Sequence, residues 1–174
     1  SVWEKGAPEY DPEIFSLGIP TLGICYGMQL INDCFGGKVV PNFKTEYGQI
    51  EINIDTSCPL FAGLSSREKV LMSHGDAVEK FADGFVQVAD TDGVTAGIWN
   101  AEKKIAAVQF HPEVAHTEYG NQVLKNFLYE VCHATGSWTM GDFCKTTIAH
   151  LREEIGENGR VLLALSGGVD SSVA

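Results

Sequence analysis

One short stretch, residues 21–29, constrains the fold and the chemistry of this chain more than any other. Four apolar or small residues, 21–24, predict a short buried strand, and apolar residues at positions 28, 31 and 35 predict a helix after it. Cys25 is therefore expected at a sharp strand-to-helix turn, where Gly27 allows close backbone approach. This G-x-C-x-G pattern is typical of a nucleophile elbow, in which the helix dipole favours the thiolate form of the cysteine.

A base and a carboxylate for this cysteine follow later, in the segment Phe110-His111-Pro112-Glu113. Pro112 favours extended backbone at His111, and in extended backbone residues two apart point to the same side. Glu113 is therefore expected beside His111, where it would hold the imidazole in one tautomer. The pattern predicts a triad of Cys25, His111 and Glu113, in which the histidine takes the thiol proton.

Four other histidines compete with His111 for the role of base. Three of them, His116, His133 and His150, have no acidic neighbour in a triad pattern. We expect His74, which follows a short strand, to form a pocket wall. The others are expected to be surface or supporting residues: His116, His133 and His150.

Composition excludes several other classes of protein. The chain has 174 residues, 44% of them hydrophobic, which suffices for one ordinary domain and part of another. Its formal net charge of −11 argues against nucleic acid as a partner, because phosphate backbones bind basic surfaces. No apolar run is long enough for a membrane span, and the first residues do not form the apolar segment of a signal peptide. We therefore expect a cytoplasmic protein without a membrane partner.

The cysteines are expected to be reduced thiols. Their number, five, is odd, and no two of them form a C-x-x-C pair. Cys132 and His133 are adjacent, but no second pair of ligands follows at zinc spacing. The sequence thus disfavours both a disulfide framework and a zinc site.

The order of predicted elements indicates an α/β fold. The alternation over Gln49–Asp55 predicts a half-buried strand with its isoleucines inward, and an i, i+4 stripe predicts a helix over Tyr119–Cys132. Short apolar runs predict further strands at 70–72, 85–89, 95–99 and 105–110. We expect a mixed, mostly parallel sheet with helices on both faces and Cys25 at the carboxyl end of a strand.

The composition changes after residues 134–137, which are the best candidate for a linker between a first domain, 1–134, and a second, 135–174. In the second, Thr139 is expected to cap a helix over Met140–Ile155, and a buried strand of parallel type is predicted at 160–165. A glycine-rich loop follows, whose backbone N–H groups suit a phosphate, although a simple strand-to-helix turn is the alternative. The loop lacks the Walker A lysine. Its residues are Ser166, Gly167, Gly168, Val169, Asp170, Ser171 and Ser172, with Asp170 as the candidate Mg²⁺ ligand.

These motifs carry a family resemblance. The segments Gly23–Gln29 and Phe110–Glu113 resemble the class I (triad) glutamine amidotransferases, and Ser166–Ser172 resembles the pyrophosphate-binding loop of N-type ATP pyrophosphatases. Both in one chain, with Met72–Asp76 and His111–Thr117 between them, resemble the glutamine-hydrolysing GMP synthetases. The resemblance implies a class I amidotransferase-like, flavodoxin-like domain, followed by the first elements of an α/β adenine nucleotide hydrolase-like domain.

The same resemblance implies a ligase of purine biosynthesis that makes GMP from XMP, ATP and glutamine. It implies that Cys25 attacks the glutamine amide, that the Tyr26 N–H holds the oxyanion, and that His111 protonates the leaving ammonia. Further glutamine contacts are implied at Gln29, Ser73 and Asp76. ATP and Mg²⁺ are implied at the loop 166–172, with no organic cofactor, and the full-length enzyme is implied to be a homodimer.

Members of this family carry a strand, a helix and a Ser-Gly-Gly-Pro loop before the point that matches Ser1, and an XMP site and dimerisation region beyond Ala174. We therefore expect a fragment truncated at both ends, with little or no synthetase activity on its own. Three alternatives remain. One is the glutaminase part of anthranilate, carbamoyl phosphate or CTP synthesis, which the loop at 166–172 disfavours. The others are a catalytically inert binding module and a stand-alone cysteine peptidase or hydrolase.

Overall fold

The structure is a computed structural model that describes residues 1–2, 4–164, 166–169 and 173, with the backbone alone at 42–44. The chain divides into two compact units, Ser1–Ala134 and Thr135–Ala174. Among the described residues, no helix is both long enough and apolar enough to cross a lipid bilayer.

The described part of the first unit contains six strands and two α-helices. The strands are β1 (Thr21–Ile24), β2 (Lys38–Ile54), β3 (Arg67–Lys80), β4 (Val86–Thr91), β5 (Val94–Asn100) and β6 (Ile105–Val108). The helices are α1 (Tyr26–Cys34) and α2 (Gly120–Asn126), with short 3₁₀ helices at Pro12–Ser16 and Pro59–Phe61. Helix α2 continues as a π-helical turn over Phe127–Val131.

The six strands form one sheet in the order β1-β6-β5-β4-β2-β3. Among the described strands, only β1 and β6 are parallel, with Thr21 opposite Ile105, and every other neighbouring pair is antiparallel. The expectation of a mostly parallel sheet is therefore wrong. The connections explain the difference, because a parallel pair needs a crossover of a dozen or more residues. Strands β4 and β5 are joined by Asp92 and Gly93 alone, both at positive φ, which makes a hairpin.

Strand β6 lies between two clusters of buried side chains, one on each face of the sheet. Ala107 belongs to one cluster and Val108 to the other, because successive residues of a strand point to opposite faces. Helix α1 covers the first cluster through Met28, and α2 covers the second through Val123. Full burial of a side chain of this size contributes about 1.5–3 kcal/mol. The expectation of an α/β sheet with helices on both faces is confirmed.

The second unit contains one long helix among its described residues, α3 (Met140–Ile155). Thr139 caps it as expected: its Oγ1 accepts from the Asp142 N–H at 3.1 Å and donates to the Asp142 carboxylate at 2.7 Å. The strand predicted at 160–165 is wrong for 160–164, which are exposed and irregular, while Leu165 lies outside the described residues. A strand of parallel type needs hydrogen-bonded neighbouring strands, and the described residues of this unit form no strand with which 160–164 could pair.

Candidate active site

Cys25 occupies the turn between β1 and α1 in a strained backbone conformation, with φ 52° and ψ −105°. Its N–H donates to the carbonyl of Val108 at 2.8 Å, so the turn is fastened to the end of β6. Its carbonyl accepts from the N–H groups of Met28 and Gln29 at 3.0 and 3.3 Å, which begins α1. The predicted strand-to-helix turn is therefore present, and its strain positions the thiol.

A glycine makes this turn possible, but it is not the one expected. A Cβ atom on Gly23 would lie 2.7 Å from the carbonyl oxygen of Gly27 and 2.5 Å from the Ile31 side chain. A Cβ atom on Gly27 would meet nothing within 4 Å. Close approach between β1 and α1 therefore depends on Gly23, and the sequence-based assignment of this role to Gly27 is wrong.

The Cys25 sulfur is partly buried beside both backbone and side-chain groups. Sγ lies 3.6 Å from Nε2 of Gln109 and 3.9 Å from the carbonyl oxygen of Ser73. Burial raises the pKa of the Cys25 thiol and the negative charge of Glu113 raises it further, whereas hydrogen bonds from the Tyr26 N–H and from Gln109 lower the pKa. Burial is the largest of these causes, so the pKa of Cys25 lies above its ordinary value, whereas the Tyr26 N–H at the start of α1 lowers the pKa, in the direction expected of a helix N-terminus.

His111 and Glu113 lie side by side after β6, as expected from Pro112 between them. His111 Nδ1 is 2.7 Å from Glu113 Oε1, and the two side chains are 25% and 45% exposed. An ionised carboxylate only accepts hydrogen bonds, so Nδ1 carries the proton and Nε2 of the neutral ring is the acceptor. The pair thus presents an oriented base that solvent or a substrate can reach.

The loop that carries this pair is fastened to β3. The His111 N–H donates to the Leu71 carbonyl at 3.1 Å. The buried Thr117 hydroxyl donates to the His111 carbonyl at 2.5 Å and accepts from the Leu71 N–H at 3.0 Å. A Cβ atom on Gly120 would collide with the carbonyl oxygen of Pro112, so glycine there lets the loop pack against the start of α2.

A pocket of about 290 Å³ opens beside the nucleophile turn. It brings together the residues that the family resemblance assigns to the nucleophile, the oxyanion donor and glutamine binding: Cys25, Tyr26, Gln29, Ser73 and Asp76. His74 also lines it, as expected for a pocket wall, and the Ser1 hydroxyl, a further lining group, donates to the Asp76 carboxylate. His111 and Glu113 lie outside the described lining of this pocket, and Glu113 lines a separate cavity with Pro112.

Sequence reasoning missed a buried pair in the wall of this pocket. His74 on β3 faces Glu46 on β2 across the antiparallel ladder, with Nε2 3.2 Å from Oε2 and side chains only 2% and 4% exposed. The other ring nitrogen, Nδ1, lies 2.8 Å from the carbonyl oxygen of Asp76. Because a carbonyl only accepts, Nδ1 is the donor.

Gln109 is the second residue that sequence reasoning missed. Its side chain is fully buried between Gln29 and Cys25. The available signal was one polar residue within the apolar run 105–110, directly before the predicted base. A buried polar group in such a run needs a partner, which points to a hydrogen-bonded role.

The predicted phosphate loop is only partly described. Ser166, Gly167, Gly168 and Val169 are exposed, Gly167 has φ 80°, and the Gly168 N–H donates to Ser166 Oγ at 3.5 Å. The other predicted contacts, Asp170, Ser171 and Ser172, lie outside the described residues. Within the described part of the chain, no group of three or more His, Cys, Asp or Glu residues could hold a metal ion. The phosphate and Mg²⁺ assignments stay predictions.

Comparison with known proteins places this geometry among related chains. Residues 3–131 match the family model described as glutamine amidotransferase class-I. The glutamine-hydrolysing GMP synthase of Streptococcus uberis is 54% identical over 177 residues, which cover 99% of this chain and 34% of that protein. The corresponding protein of Enterococcus faecalis is 50% identical over 174 residues, covering 99% and 33%. The chain therefore spans about a third of the length of these curated relatives.

Solved structures show the same similarity. A protein from Thermoplasma acidophilum, assigned as one of the subunits of GMP synthase, has a TM-score of 0.65 and 31% identity, covering 78% of this chain and 64% of that one. A glutamine amidotransferase from Thermotoga maritima has a TM-score of 0.55 and 22% identity, covering 82% and 60%. The second likeness concerns the fold alone.

Proposed function

We propose, since this chain belongs to the class I glutamine amidotransferases, that it hydrolyses the side-chain amide of glutamine and supplies the ammonia to GMP formation. One observation carries the hydrolytic half of this proposal. The strained Cys25 turn follows β1, and the His111–Glu113 pair follows β6, the strand parallel to it. Within the pair, His111 Nδ1 is 2.7 Å from Glu113 Oε1. A nucleophile, an oriented base and a carboxylate are the parts that acyl transfer requires.

The first half of the proposed reaction forms a thioester. Nε2 of His111 accepts the Cys25 thiol proton, and the sulfur attacks the glutamine amide carbon. Tyr26 follows Cys25 at the start of α1 and lines the same pocket, and in this proposal its backbone N–H donates to the oxyanion that develops on the carbonyl oxygen. Loss of one such donor typically costs about 10²–10³ in rate.

The second half releases both products. His111 returns its proton to the leaving nitrogen, the C–N bond breaks, and ammonia departs. Water, activated by the same histidine, then attacks the thioester and yields glutamate and the free thiol. Burial raises the pKa of the Cys25 thiol, which is consistent with removal of its proton by a base during the reaction.

The finer part of the proposal concerns the use of the ammonia. Curated relatives that are 50–54% identical over 99% of this chain are named glutamine-hydrolysing GMP synthases, and this supports ATP-dependent amination of XMP to GMP. In this proposal ATP and Mg²⁺ belong to a second domain that begins at about residue 135, with pyrophosphate on the loop 166–172. A cytoplasmic location and a homodimer of the full-length enzyme are parts of the same proposal.

Ammonia release from glutamine tests the hydrolytic half. We expect the 174-residue chain to release ammonia, and Cys25→Ala to lower the rate at least about 10³-fold because the nucleophile is lost. Cys34→Ala, a matched change in the last turn of α1, should leave the rate close to that of the parent chain. A folded parent chain that releases no ammonia, or a Cys25→Ala variant that keeps its rate, would overturn the assignment.

The synthetic half needs a different experiment, because the chain spans about a third of its curated relatives. We would exchange the matching third of the Streptococcus uberis protein for this chain and measure GMP formation from XMP and ATP. We expect formation with either glutamine or ammonium as the nitrogen source, and Cys25→Ala should remove only the glutamine-dependent reaction. GMP formation with ammonium but not with glutamine in the parent fusion would contradict the supply of ammonia by this domain.

A further inference from the structure

Gln109 joins the end of β6 to the nucleophile. It is fully buried, and its backbone N–H donates to the Ala96 carbonyl of β5 at 2.9 Å, which fixes the backbone. Its side-chain amide lies between two groups: Cys25 Sγ, 3.6 Å from Nε2, and Gln29 Nε2, 3.3 Å from Oε1. The NH₂ and oxygen ends of a side-chain amide can exchange places by a flip. A buried amide has a single orientation only if its neighbours fix which end donates and which end accepts.

A backbone carbonyl defines that orientation. The carbonyl oxygen of Asp76 only accepts hydrogen bonds, and Gln29 Nε2 lies 3.2 Å from it, so the NH₂ end of Gln29 must face Asp76. The second N–H of the same group then points at Gln109, so the side-chain oxygen of Gln109, Oε1, must accept this hydrogen bond. The NH₂ end of Gln109 is left facing Cys25 Sγ. Turning either amide round would oppose two donors or two acceptors in a buried site, which costs about 1–3 kcal/mol.

The anchor of this chain of hydrogen bonds is itself held in place. The Asp76 carbonyl also accepts from Nδ1 of His74 at 2.8 Å, and Nε2 of His74 is 3.2 Å from the Glu46 carboxylate. All four side chains of the network other than Cys25 are buried: Glu46, His74, Gln29 and Gln109. The pair on β2 and β3 thereby fixes the carbonyl that sets the direction of both glutamine amides.

We propose that Gln109 is a further catalytic residue, whose side-chain N–H donates to the Cys25 sulfur and stabilises its negative charge, and that Gln29 fixes the direction of this donor. The interaction strengthens when the thiol proton leaves and weakens again when the sulfur becomes a neutral thioester. It therefore favours the charged form of the nucleophile over the resting form, which is the requirement for a catalytic interaction. Its importance for turnover rests on the proposed glutamine hydrolysis, but the contact with sulfur does not.

Alkylation of Cys25 tests this contact without any need for glutamine. The rate of reaction with iodoacetamide is followed at Cys25 by mass analysis of its peptide, across a range of pH. Gln109→Met keeps a side chain of similar length without a donor. We expect it to slow alkylation at pH 7.5 about ten-fold and to move the midpoint of the pH profile upward, because one hydrogen bond to a charged group is lost.

Two further variants separate the donor from other effects. Gln29→Met should give a smaller change in the same direction, because the Gln109 amide keeps its place but loses its fixed orientation. Gln87→Met, at an exposed position of β4, is the matched control and should alkylate like the parent chain. An unchanged rate and midpoint in a folded Gln109→Met variant would overturn the proposal. A shift in a chain that hydrolyses no glutamine would uphold the contact and refute the proposed function alone.

A measurement on the unaltered side chains decides the matter if Gln109→Met does not fold. The side-chain amide resonance of Gln109 in ¹⁵N-labelled chain should move with pH along the ionisation of Cys25. The same resonance should lose this response in Cys25→Ala. A Gln109 side-chain amide whose chemical shift does not change as Cys25 ionises in the parent chain would overturn the proposal.

Discussion

The His111–Glu113 pair after β6 and the His74–Glu46 pair between β3 and β2 share their chemistry but not their surroundings. The first is short, 2.7 Å, and open to solvent, whereas the second is longer, 3.2 Å, and almost wholly buried. Moving a charge in a buried site is costly, so the buried pair is suited to a fixed arrangement. A partly exposed imidazole can gain and lose a proton during turnover. The comparison shows that burial, not residue type, separates a working base from a structural one.

Removal of the exposed histidine should have the greatest effect on activity. We expect His111→Asn to lower kcat/KM for glutamine by about 10²–10⁴-fold, because the general base is lost. The free energy of unfolding should change by less than about 1 kcal/mol, since partly exposed side-chain pairs of this kind contribute little. Steady-state ammonia release and denaturant unfolding measure the two effects. Retained activity would show that another group serves as the base.

The reverse pattern is expected at the buried histidine. His74→Ala removes the buried partner of the Glu46 carboxylate, and we expect a loss of about 3–5 kcal/mol in the free energy of unfolding, measured in denaturant. His116→Ala, at an exposed position, is the matched control and should leave the free energy of unfolding nearly unchanged. A His74→Ala variant as stable as the parent chain would contradict the structural role of the pair.

Thr117 connects the two pairs, because it ties the loop of the exposed pair to β3, the strand of the buried histidine. Thr117→Val keeps the shape but leaves the Leu71 N–H and the His111 carbonyl without this hydroxyl. We expect a loss of about 1–3 kcal/mol in the free energy of unfolding, and a lower kcat because the base is less well held. Thr117→Ser keeps the hydroxyl and should restore both quantities. Equal behaviour of the two variants would show that the hydrogen bonds are not the cause.

The smallest expected effect concerns pH. Burial raises the pKa of the Cys25 thiol and Glu113 raises it further, so the protonated form persists to higher pH than in a free thiol. The alkylation rate of Cys25 should therefore rise at higher pH than that of a small-molecule thiol. Glu113→Gln removes one negative charge and should move this midpoint downward. An upward shift in that variant would contradict an electrostatic effect of Glu113 on the nucleophile.

The turn at Cys25 and the position of Glu113 beside His111 were predictable because each depends on a few consecutive residues. A strand pattern, a cysteine and a helix pattern follow one another directly, and Pro112 sets the backbone between the base and its carboxylate. The direction of the strands was not predictable from apolar periodicity, which is the same in parallel and antiparallel strands. The short connection at Asp92 and Gly93 carried that information instead.

The buried network depended on contacts that no local pattern contains. Glu46 reaches His74 only through the register of β2 and β3, which shifts at a bulge between Pro41 and Glu46. Gln109 meets Cys25 only because β1 and β6 end side by side in a parallel pair. Both partners are distant in the sequence, so their pairing follows from the folded sheet and not from spacing along the chain.

The strained backbone at Cys25 has an evolutionary consequence. Glycine adopts positive φ at little cost, whereas a strained non-glycine residue costs about 1–3 kcal/mol. A change of Cys25 to glycine would therefore relieve strain while removing the sulfur that the turn presents to the pocket. Selection of variants for heat resistance alone would favour this loss. Activity and local stability therefore oppose one another at this turn, and a single substitution would exchange one for the other.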